Sequence, residues 1–452
     1  MLLFTDRRFY RSLFAIAIPI MLQNLVNSLV NVLDTIMVGQ LGTVEIAAVG
    51  LGNQIFFLYS LFLFGICSGG SIFTAQFWGR ADISGIRKNL GFCLTLNMAV
   101  AFLFTLVTLL IPEKLIAVYS QDVNVINAGA AYLKTLSISF IPFAVSFAFI
   151  LTLRSVEKVR LAIVVTLVAL FINASLNYLF IFGAGPIPAM GVVGAARATV
   201  CSRIVEVIII VSVSYYKKYP PAGSKKELFS FNRVYARGFF KITVPVLLNE
   251  IFWAFGITVQ NVIFARTSTD AIAAFNITGT VSTLTWVLFM GLGNGVAVLI
   301  GKKIGEGDEI TARDYAHRIV RFAPIIAIGA AMILFPLSWL LPFIFNVNIE
   351  TIKAASGMFI ILCCAYPVKA FNMAMIIGVC RAGGDTVFCV VYDVALMWLV
   401  SLPLAALAAF IFKWPVSVIY LCVMIEEPLK ACLGLWRLKS GKWLNNVTDG
   451  LK

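Results

Sequence analysis

The chain has 452 residues, of which 61% are hydrophobic and 12% are charged, and its mean hydropathy is +0.96. This composition excludes a soluble multidomain protein, because the surface would lack the polar residues that water requires. The formal net charge of +14 lies in short connectors between apolar runs and not on one basic face, which argues against a nucleic-acid-binding protein. The composition therefore predicts an integral membrane protein.

Twelve apolar runs follow one another along the chain. Since a spanning helix needs about 20 apolar residues, we expect an all-α polytopic protein of about twelve transmembrane helices without a large soluble domain. The first run extends to Val38 without a small-residue cleavage site, so we expect a retained helix and not a signal peptide. The predicted helices cover residues 13–38, 47–77, 90–111, 128–152, 159–183, 192–216, 239–265, 272–301, 319–341, 355–380, 386–412 and 415–436.

The connectors between these helices alternate between rich and poor in basic residues. One set contains Arg87, Lys158 and several residues of the stretch 217–241, whereas the other set contains isolated cations such as Lys114. By the positive-inside rule the rich side is cytoplasmic, and both termini lie on that side.

The longest polar connector, at residues 216–239, contains Pro220, Pro221 and Gly223, a composition typical of a linker. It divides the chain into an amino-terminal lobe at residues 1–222 with six helices, a cytoplasmic linker at 223–238, and a carboxy-terminal lobe at 239–452 with six more.

The two halves are also related in sequence. Residues 14–82 align with residues 240–308 at a constant offset of 226, with 13 identities in 69 positions that include Pro19 with Pro245. Six helices is an even number, so both lobes have the same orientation. We therefore expect a pseudo-twofold axis along the membrane normal and a ligand path between the lobes, as in alternating-access carriers.

The first helix carries polar residues on one face, namely Asn24, Asn27, Ser28, Asn31, Asp34 and Thr35. Asp34 is about four residues, or roughly 6 Å, from the outer end of the helix. An ionised carboxylate at the centre of a spanning helix costs about 2.5 to 3.5 kcal/mol, and less near the interface. A bound cation or a proton would offset this cost, which makes Asp34 a candidate coupling site. The alternative is an aspartate wetted from outside and hydrogen-bonded to Thr35 or Asn31.

Other polar residues fall inside later spans. Asn173, Asn177 and Tyr178 share one face of the fifth helix, and Thr199 lies in the outer half of the sixth. Amide and hydroxyl oxygens are hard ligands that suit a small cation. The alternative is interhelical hydrogen bonding, which is common in membranes.

In the second half, Glu250 lies about eleven residues into the seventh helix, beside Asn249 and one turn from Trp253. A carboxylate next to an aromatic ring suits a cavity for cationic amphiphiles. The alternative is a structural partner for Lys369 or another basic group. Further candidate lining residues are large apolar side chains that core or lipid-facing positions would equally explain, namely Phe57, Trp286 and Met290.

The remaining charges are interpreted as structural, with Arg203 and Glu206 as one i, i+3 ion pair and Glu427 and Lys430 as another. Arg381 is placed in a cytoplasmic connector. The sequence contains no nucleotide-binding or hydrolase motif, so we expect no enzyme activity and energy from an ion gradient.

Several motifs in register resemble the multidrug and toxic compound extrusion (MATE) family across nearly the whole chain. The resemblance is carried by residues 34–39, 46–50, 191–199, 173–178 and 381–385. It implies a twelve-helix exporter that exchanges organic cations for Na⁺ or H⁺, with Asp34, Asn173, Asn177 and Thr199 around an amino-lobe cation pocket. Glu250 matches a carboxylate of the NorM-like branch.

Two departures from the family pattern qualify that resemblance. Asn177 stands where DinF-like members have a second aspartate, which weakens a purely proton-coupled mechanism. Lys369 and Ala370 occupy about the place of a NorM-like acidic residue, which argues against a sodium site in the carboxy-terminal lobe.

We therefore expect a bacterial inner-membrane antiporter for organic cations. We assign cation coupling to Asp34, Asn31, Asn173, Asn177 and Thr199, with Asp34, Asn173 and Asn177 as Na⁺ ligands. No cofactor beyond the coupling Na⁺ or H⁺, no nucleic-acid partner and a monomer surrounded by lipid are expected. A flippase for lipid-linked oligosaccharides is the alternative function.

Overall fold

The structure is a computed structural model that describes residues 7–183, 185–336 and 347–450. The helices of the first half are α1 (Arg7–Gly39), α2 (Thr43–Gly79), α3 (Ile83–Leu110), α4 (Pro112–Ala117), α5 (Val123–Leu136), α6 (Phe140–Ser155), α7 (Val159–Phe182), α8 (Gly191–Tyr216) and α9 (Lys225–Leu228). A single 3₁₀ turn, Ser137–Ser139, joins α5 to α6 without a break, so the two helices together form one stretch long enough to cross a membrane.

The second half is also helical. Its α-helices are α10 (Arg233–Thr267), α11 (Thr269–Gly305), α12 (Glu309–Leu334), α13 (Ile349–Met373), α14 (Thr386–Val390), α15 (Leu402–Ala406), α16 (Val416–Met424) and α17 (Glu426–Ser440). Wider π-helical turns extend or join these helices at Ala374–Arg381, Val391–Ala395, Met397–Ser401 and Leu407–Ile411. Such turns are rare and occur frequently at functional sites.

Eleven helical stretches of the described residues are long and apolar enough to cross a membrane. The predicted twelfth helix at 415–436 is present as α16 and α17, which meet at Ile425. The predicted ninth helix corresponds to α12, and its predicted end at residue 341 lies outside the described residues. The all-helical, polytopic fold class is therefore confirmed.

Several helices begin earlier than the apolar windows predict, because capped polar turns extend them beyond the membrane-spanning run. Asp82 accepts a hydrogen bond from the backbone N–H of Gly85 at 2.8 Å and begins α3. Asp308 accepts from the backbone N–H of Thr311 at 3.1 Å and begins α12, ten residues before the predicted start. An N-cap side chain satisfies a backbone donor that the helix leaves free.

The chain forms two compact units. The amino-terminal unit comprises residues 22–239, and the carboxy-terminal unit comprises residues 240–450 together with residues 7–21 as far as they are described. The first turns of α1 therefore belong to the carboxy-terminal unit, where Phe9 packs against Tyr315 with ring centroids 4.7 Å apart. The sequence division had placed these turns in the amino-terminal lobe.

The predicted linker at 223–238 is fastened to α3 within the amino-terminal unit. Ser224 and Glu227 form a reciprocal capping box that begins α9. Arg87 of α3 pairs with Glu227 at 2.6 Å. Gly91 provides room for the main chain of Leu228, because a Cβ atom at Gly91 would lie 1.8 Å from the Leu228 carbonyl oxygen. The connector is thus a packed part of the unit.

We predict that Gly91→Ala loosens this connector, because an added methyl group forces the Leu228 main chain away, and overpacking costs about 1 to 3 kcal/mol. The measurement is the thermal unfolding midpoint of the purified protein in detergent, with trypsin cleavage after Lys225 and Lys226 as a local probe. Gly50→Ala in α2 is the control, since nothing lies within 4 Å of the place that its new methyl group would occupy. Equal behaviour of the two variants would contradict the packing argument.

Candidate functional site

A chain of hydrogen bonds crosses the amino-terminal unit from α1 through α7 to α8. The amide nitrogen of Asn177 donates to Oδ1 of Asp34 in a short contact and to Oδ1 of Asn173 at 3.3 Å. The Nδ2 atom of Asn173 donates to Oγ1 of Thr199 at 3.3 Å, and that hydroxyl donates to the carbonyl of Ala195 at 3.1 Å. The i, i+4 spacing brings the Asn173 and Asn177 amides together on one helix face, and Asn177 is the one that contacts Asp34.

The directions of these hydrogen bonds follow from the chemistry of the groups. A carboxylate oxygen only accepts, so Asn177 must turn its amide nitrogen towards Asp34. The residue is only 1% exposed, so its carbonyl oxygen Oδ1 is buried, and that oxygen has no hydrogen-bond partner. An unpaired buried acceptor costs about 1 to 3 kcal/mol. The site therefore presents a carboxylate and a free acceptor that a cation or a proton donor would satisfy.

Two candidates of the sequence analysis lie outside this chain of hydrogen bonds. The side chain of Asn31 is exposed, and its main-chain carbonyl accepts from Thr35 at 2.7 Å. The alternative in which Asp34 bonds to Thr35 or Asn31 is therefore not the arrangement adopted. Tyr178 is 62% exposed and its ring is tilted against that of Phe182, so it does not share the buried position of Asn177.

The predicted ion pair in α8 is confirmed. Arg203 Nη1 lies 2.8 Å from Glu206 Oε2, and the Glu206 side chain is 1% exposed. Ser146 of α6 donates to the same carboxylate oxygen at 3.2 Å. The guanidinium of Arg203 lies 4.8 Å from the ring centroid of Phe143, within the range of a cation–π contact. This pair fastens α8 to α6 within the amino-terminal unit.

The carboxy-terminal unit contains a cavity of about 260 Å³ that is open on one side. Asn249, Glu250, Trp253, Trp286 and Met290 line it, so the structure brings together five of the six residues named as substrate-site candidates. Phe57, the sixth, lies on α2 in the amino-terminal unit, where its side chain is 50% exposed.

Ion pairs in this cavity differ from those that the sequence spacing indicated. Lys430 bonds to Asp393 at 2.8 Å and to Glu426 at 3.1 Å, whereas Glu427 lies 3.4 Å from Lys369. The predicted pair of Glu427 with Lys430 is therefore wrong. On a helix, i, i+4 spacing joins Glu426 to Lys430 equally well, and contacts with other helices decided between them.

Glu250 does have a structural partner, which is Arg381 and not Lys369. The two side chains are 2.5 Å apart and are 12% and 7% exposed. Arg381 is the last residue of the π-helical turn Ala374–Arg381, next to the predicted connector, and its side chain is buried against Glu250. An arginine at the end of a predicted span gave no sequence signal that its side chain would turn inwards.

Asp393 is a cavity residue that the sequence analysis missed. It lies in the π-helical turn Val391–Ala395, accepts from Nδ2 of Asn249 at 3.2 Å and pairs with Lys430. The available signal was an acidic residue inside the apolar run 386–412, since a charge within a span is by default a functional candidate.

An arginine contact occurs in both units at matching places. In the amino-terminal unit Arg154 donates to Oε1 of Gln23 at 2.5 Å, and in the carboxy-terminal unit Arg381 donates to Glu250 at 2.5 Å. Arg154 and Arg381 are related by an offset of 227 residues, and Gln23 is adjacent to the residue that aligns with Glu250. The internal repeat therefore extends to side-chain contacts.

Comparison with known proteins gives relatives along nearly the whole chain. The MatE family model matches residues 19–179 and 245–407. YisQ, an uncharacterized transporter of Bacillus subtilis, is 24% identical over 96% of this chain and 95% of its own. The probable multidrug resistance protein NorM of Thermotoga maritima is 23% identical over 96% of this chain and 93% of its own.

Solved structures share the fold. An outward-facing multidrug resistance transporter of the MATE family superposes with a TM-score of 0.86 at 18% identity, over 95% of this chain and 96% of that chain. A MOP superfamily transporter from Pyrococcus furiosus, reported to have a binding pocket of reverse polarity, superposes with a TM-score of 0.84 at 19% identity, over 95% and 96% of the two chains.

The family match repeats once in each half of the chain and covers most of its length, in agreement with the internal repeat, the two units and the spanning helices. The resemblance noted in the sequence is confirmed: the chain belongs to the MATE family of multidrug efflux transporters, and it is a multi-pass membrane transporter and not an enzyme.

Proposed function

We propose that the protein is a secondary active antiporter that exports organic cations in exchange for Na⁺ or H⁺ by alternating access, and that Asp34 is its coupling group. The observation that carries the proposal is the buried, unpartnered Oδ1 of Asn177 beside the Asp34 carboxylate. In the apolar part of a membrane this pair of acceptors favours the arrival of a positive charge or of a donated proton.

Either ion would satisfy the site. Na⁺ would take oxygen ligands from the Asp34 carboxylate, from the amides of Asn173 and Asn177, and from the Thr199 hydroxyl, because hard cations prefer oxygen. A proton on Asp34 would remove the charge and turn the carboxyl group into a donor for the Asn177 oxygen. Asn31, one turn before Asp34 on the same helix, stays a predicted member of the site, and its side chain is exposed.

The carboxy-terminal cavity supports the substrate assignment. It combines the carboxylate of Glu250 with the indole rings of Trp253 and Trp286, which attract organic cations by charge and by cation–π contact. Export follows if occupancy of Asp34 lowers the affinity of the outward-open state for the substrate. Coupling requires only this difference in affinity between two states.

We further propose that the protein lies in the bacterial inner membrane with both termini in the cytoplasm, because basic residues concentrate in that set of connectors. This orientation places Asp34 in the outer half of the membrane, where an external cation reaches it. The flippase alternative is not favoured, since acidic side chains outnumber basic ones around the carboxy-terminal cavity.

We predict that Asp34→Asn reduces gradient-driven dye export by at least about tenfold, because the amide can neither carry a proton nor balance a cation. The assay is dye uptake into everted membrane vesicles under an imposed Na⁺ or H⁺ gradient. Glu113→Gln is the control, since Glu113 forms an exposed ion pair with Lys134 away from the site. Undiminished uptake by a well-expressed Asp34→Asn protein would refute the coupling role.

A second prediction concerns the acceptor itself. Asn177→Leu removes the free oxygen together with the N–H donor to Asp34, and it should weaken the apparent affinity for whichever ion drives the wild type by about tenfold, the value of one hydrogen bond or ligand contact to a charged group. Transport is measured against each gradient separately at varied ion concentration. Asn97→Leu removes another buried amide of the same unit and serves as the control. An unchanged ion dependence in Asn177→Leu would contradict the proposed site.

A further inference from the structure

The carboxy-terminal cavity is not electrically balanced. Four carboxylates line it, those of Glu250, Asp393, Glu426 and Glu427, against three basic side chains. One negative charge therefore lacks an internal partner when all of these groups are ionised. A single monovalent cation in the cavity would balance it, and charges buried in a membrane protein are costly unless they are balanced.

The pairing pattern shows where the excess charge lies. Glu250 pairs with Arg381. Both carboxylate oxygens of Glu427 have partners, one in Lys369 at 3.4 Å and the other in the amide of Asn372 at 2.7 Å. Only Lys430 remains, and its single ammonium is shared between Asp393 and Glu426. The unbalanced charge therefore belongs to this shared group.

Two acceptor atoms of the same group are buried without a partner. Glu426 is 5% exposed, and its Oε2 has no hydrogen bond, while its Oε1 contacts Lys430. Asn249 is 2% exposed and donates from its amide nitrogen to Asp393, and its Oδ1 is also unpartnered. Both residues line the cavity.

Excess negative charge together with two free acceptors defines the guest by its chemistry. A guest that is only positive would balance the charge but leave both acceptors unsatisfied. A guest that also carries N–H donors would satisfy both requirements. Sites built around hydrogen bonds discriminate strongly against analogues that lack the matching group, because their own buried polar atoms are then left unpaired.

We propose that this cavity selects protonated amines or amidinium-type cations that carry N–H donors over quaternary ammonium cations, with Glu426 and Asn249 as the residues that accept the hydrogen bonds. The proposal deepens the proposed function and rests on it for the assignment of the cavity as the substrate site. The aromatic rings attract both kinds of cation, whereas the two acceptors recognise only the donor-bearing kind.

The test is direct binding to the purified full-length protein in detergent, without any ion gradient. Isothermal titration calorimetry compares phenethylamine with its trimethylammonium analogue, which share the ring, the chain and the charge and differ in N–H donors. We expect the amine to bind at least about tenfold more tightly, as one hydrogen bond to a charged group allows. Equal affinities, or no binding of either ligand, would overturn the proposal.

A pair of matched variants locates the selectivity. In Glu426→Gln we expect the amide oxygen to stay on Lys430, which accepts no hydrogen bond, and the amide nitrogen to take the place of Oε2. A donor then replaces the acceptor, and the ratio of the two affinities should fall to about one. Glu427→Gln removes the same charge from the same cavity but no free acceptor, so the ratio should persist. The thermal unfolding midpoints of both variants are measured to check that each is folded.

The two possible failures are distinguishable. Loss of the affinity ratio in both variants, or in neither, would refute the role of Glu426 whatever the vesicle assays show. Absence of gradient-driven export in wild-type vesicles would instead refute the antiporter proposal, while a preference for the amine that depends on Glu426 would still stand as a property of the cavity.

Discussion

The central constraint on this protein is that a carboxylate inside an apolar helix must find compensation. Asp34 finds part of it from Asn177, which donates one hydrogen bond, and the same donation leaves the amide oxygen of Asn177 buried and free. A second amide and a hydroxyl, from Asn173 and Thr199, continue the chain of hydrogen bonds to α8. Because each donor points towards the next acceptor, the arrangement is complete except for one positive charge or one proton. That incompleteness is the physical basis of the proposed coupling mechanism.

The two halves of the chain are related by the internal repeat, but they differ in their charged residues. Both keep an arginine that fastens the leading helix of the lobe, through Gln23 in one unit and through Glu250 in the other. The amino-terminal site relies on one acid and neutral amides. The carboxy-terminal cavity contains several acids and bases around Lys430. The ammonium group of Lys430 lies between two carboxylates, in a position that would otherwise suit a small cation. Our proposal assigns the inorganic ion or proton to the first site and the organic guest to the second.

Much of the architecture was predictable because hydropathy and helix length are local properties. The runs of apolar residues located the spans, and the i, i+4 spacing placed Asn173 and Asn177 on one helix face. Their position near Asp34 was implied by the family resemblance and not by the spacing. Helix ends were missed where polar caps such as Asp308 extend a helix beyond the membrane. The ion pairs inside the carboxy-terminal cavity were not predictable, because contacts between helices decide which acid pairs with which base. The π-helical turns around Asp393 also rotate side chains away from the positions that a 3.6-residue period gives.

The most direct test of the coupling role of Asp34 measures the coupled flux of the ion itself. In proteoliposomes, an organic cation gradient should drive movement of Na⁺ or H⁺ in the opposite direction, recorded with an ion-sensitive dye and with radiolabelled substrate in the same sample. We expect Asp34→Asn to abolish the substrate-driven ion flux while leaving substrate binding measurable. Substrate-driven ion flux of wild-type size in the Asp34→Asn protein would contradict that role.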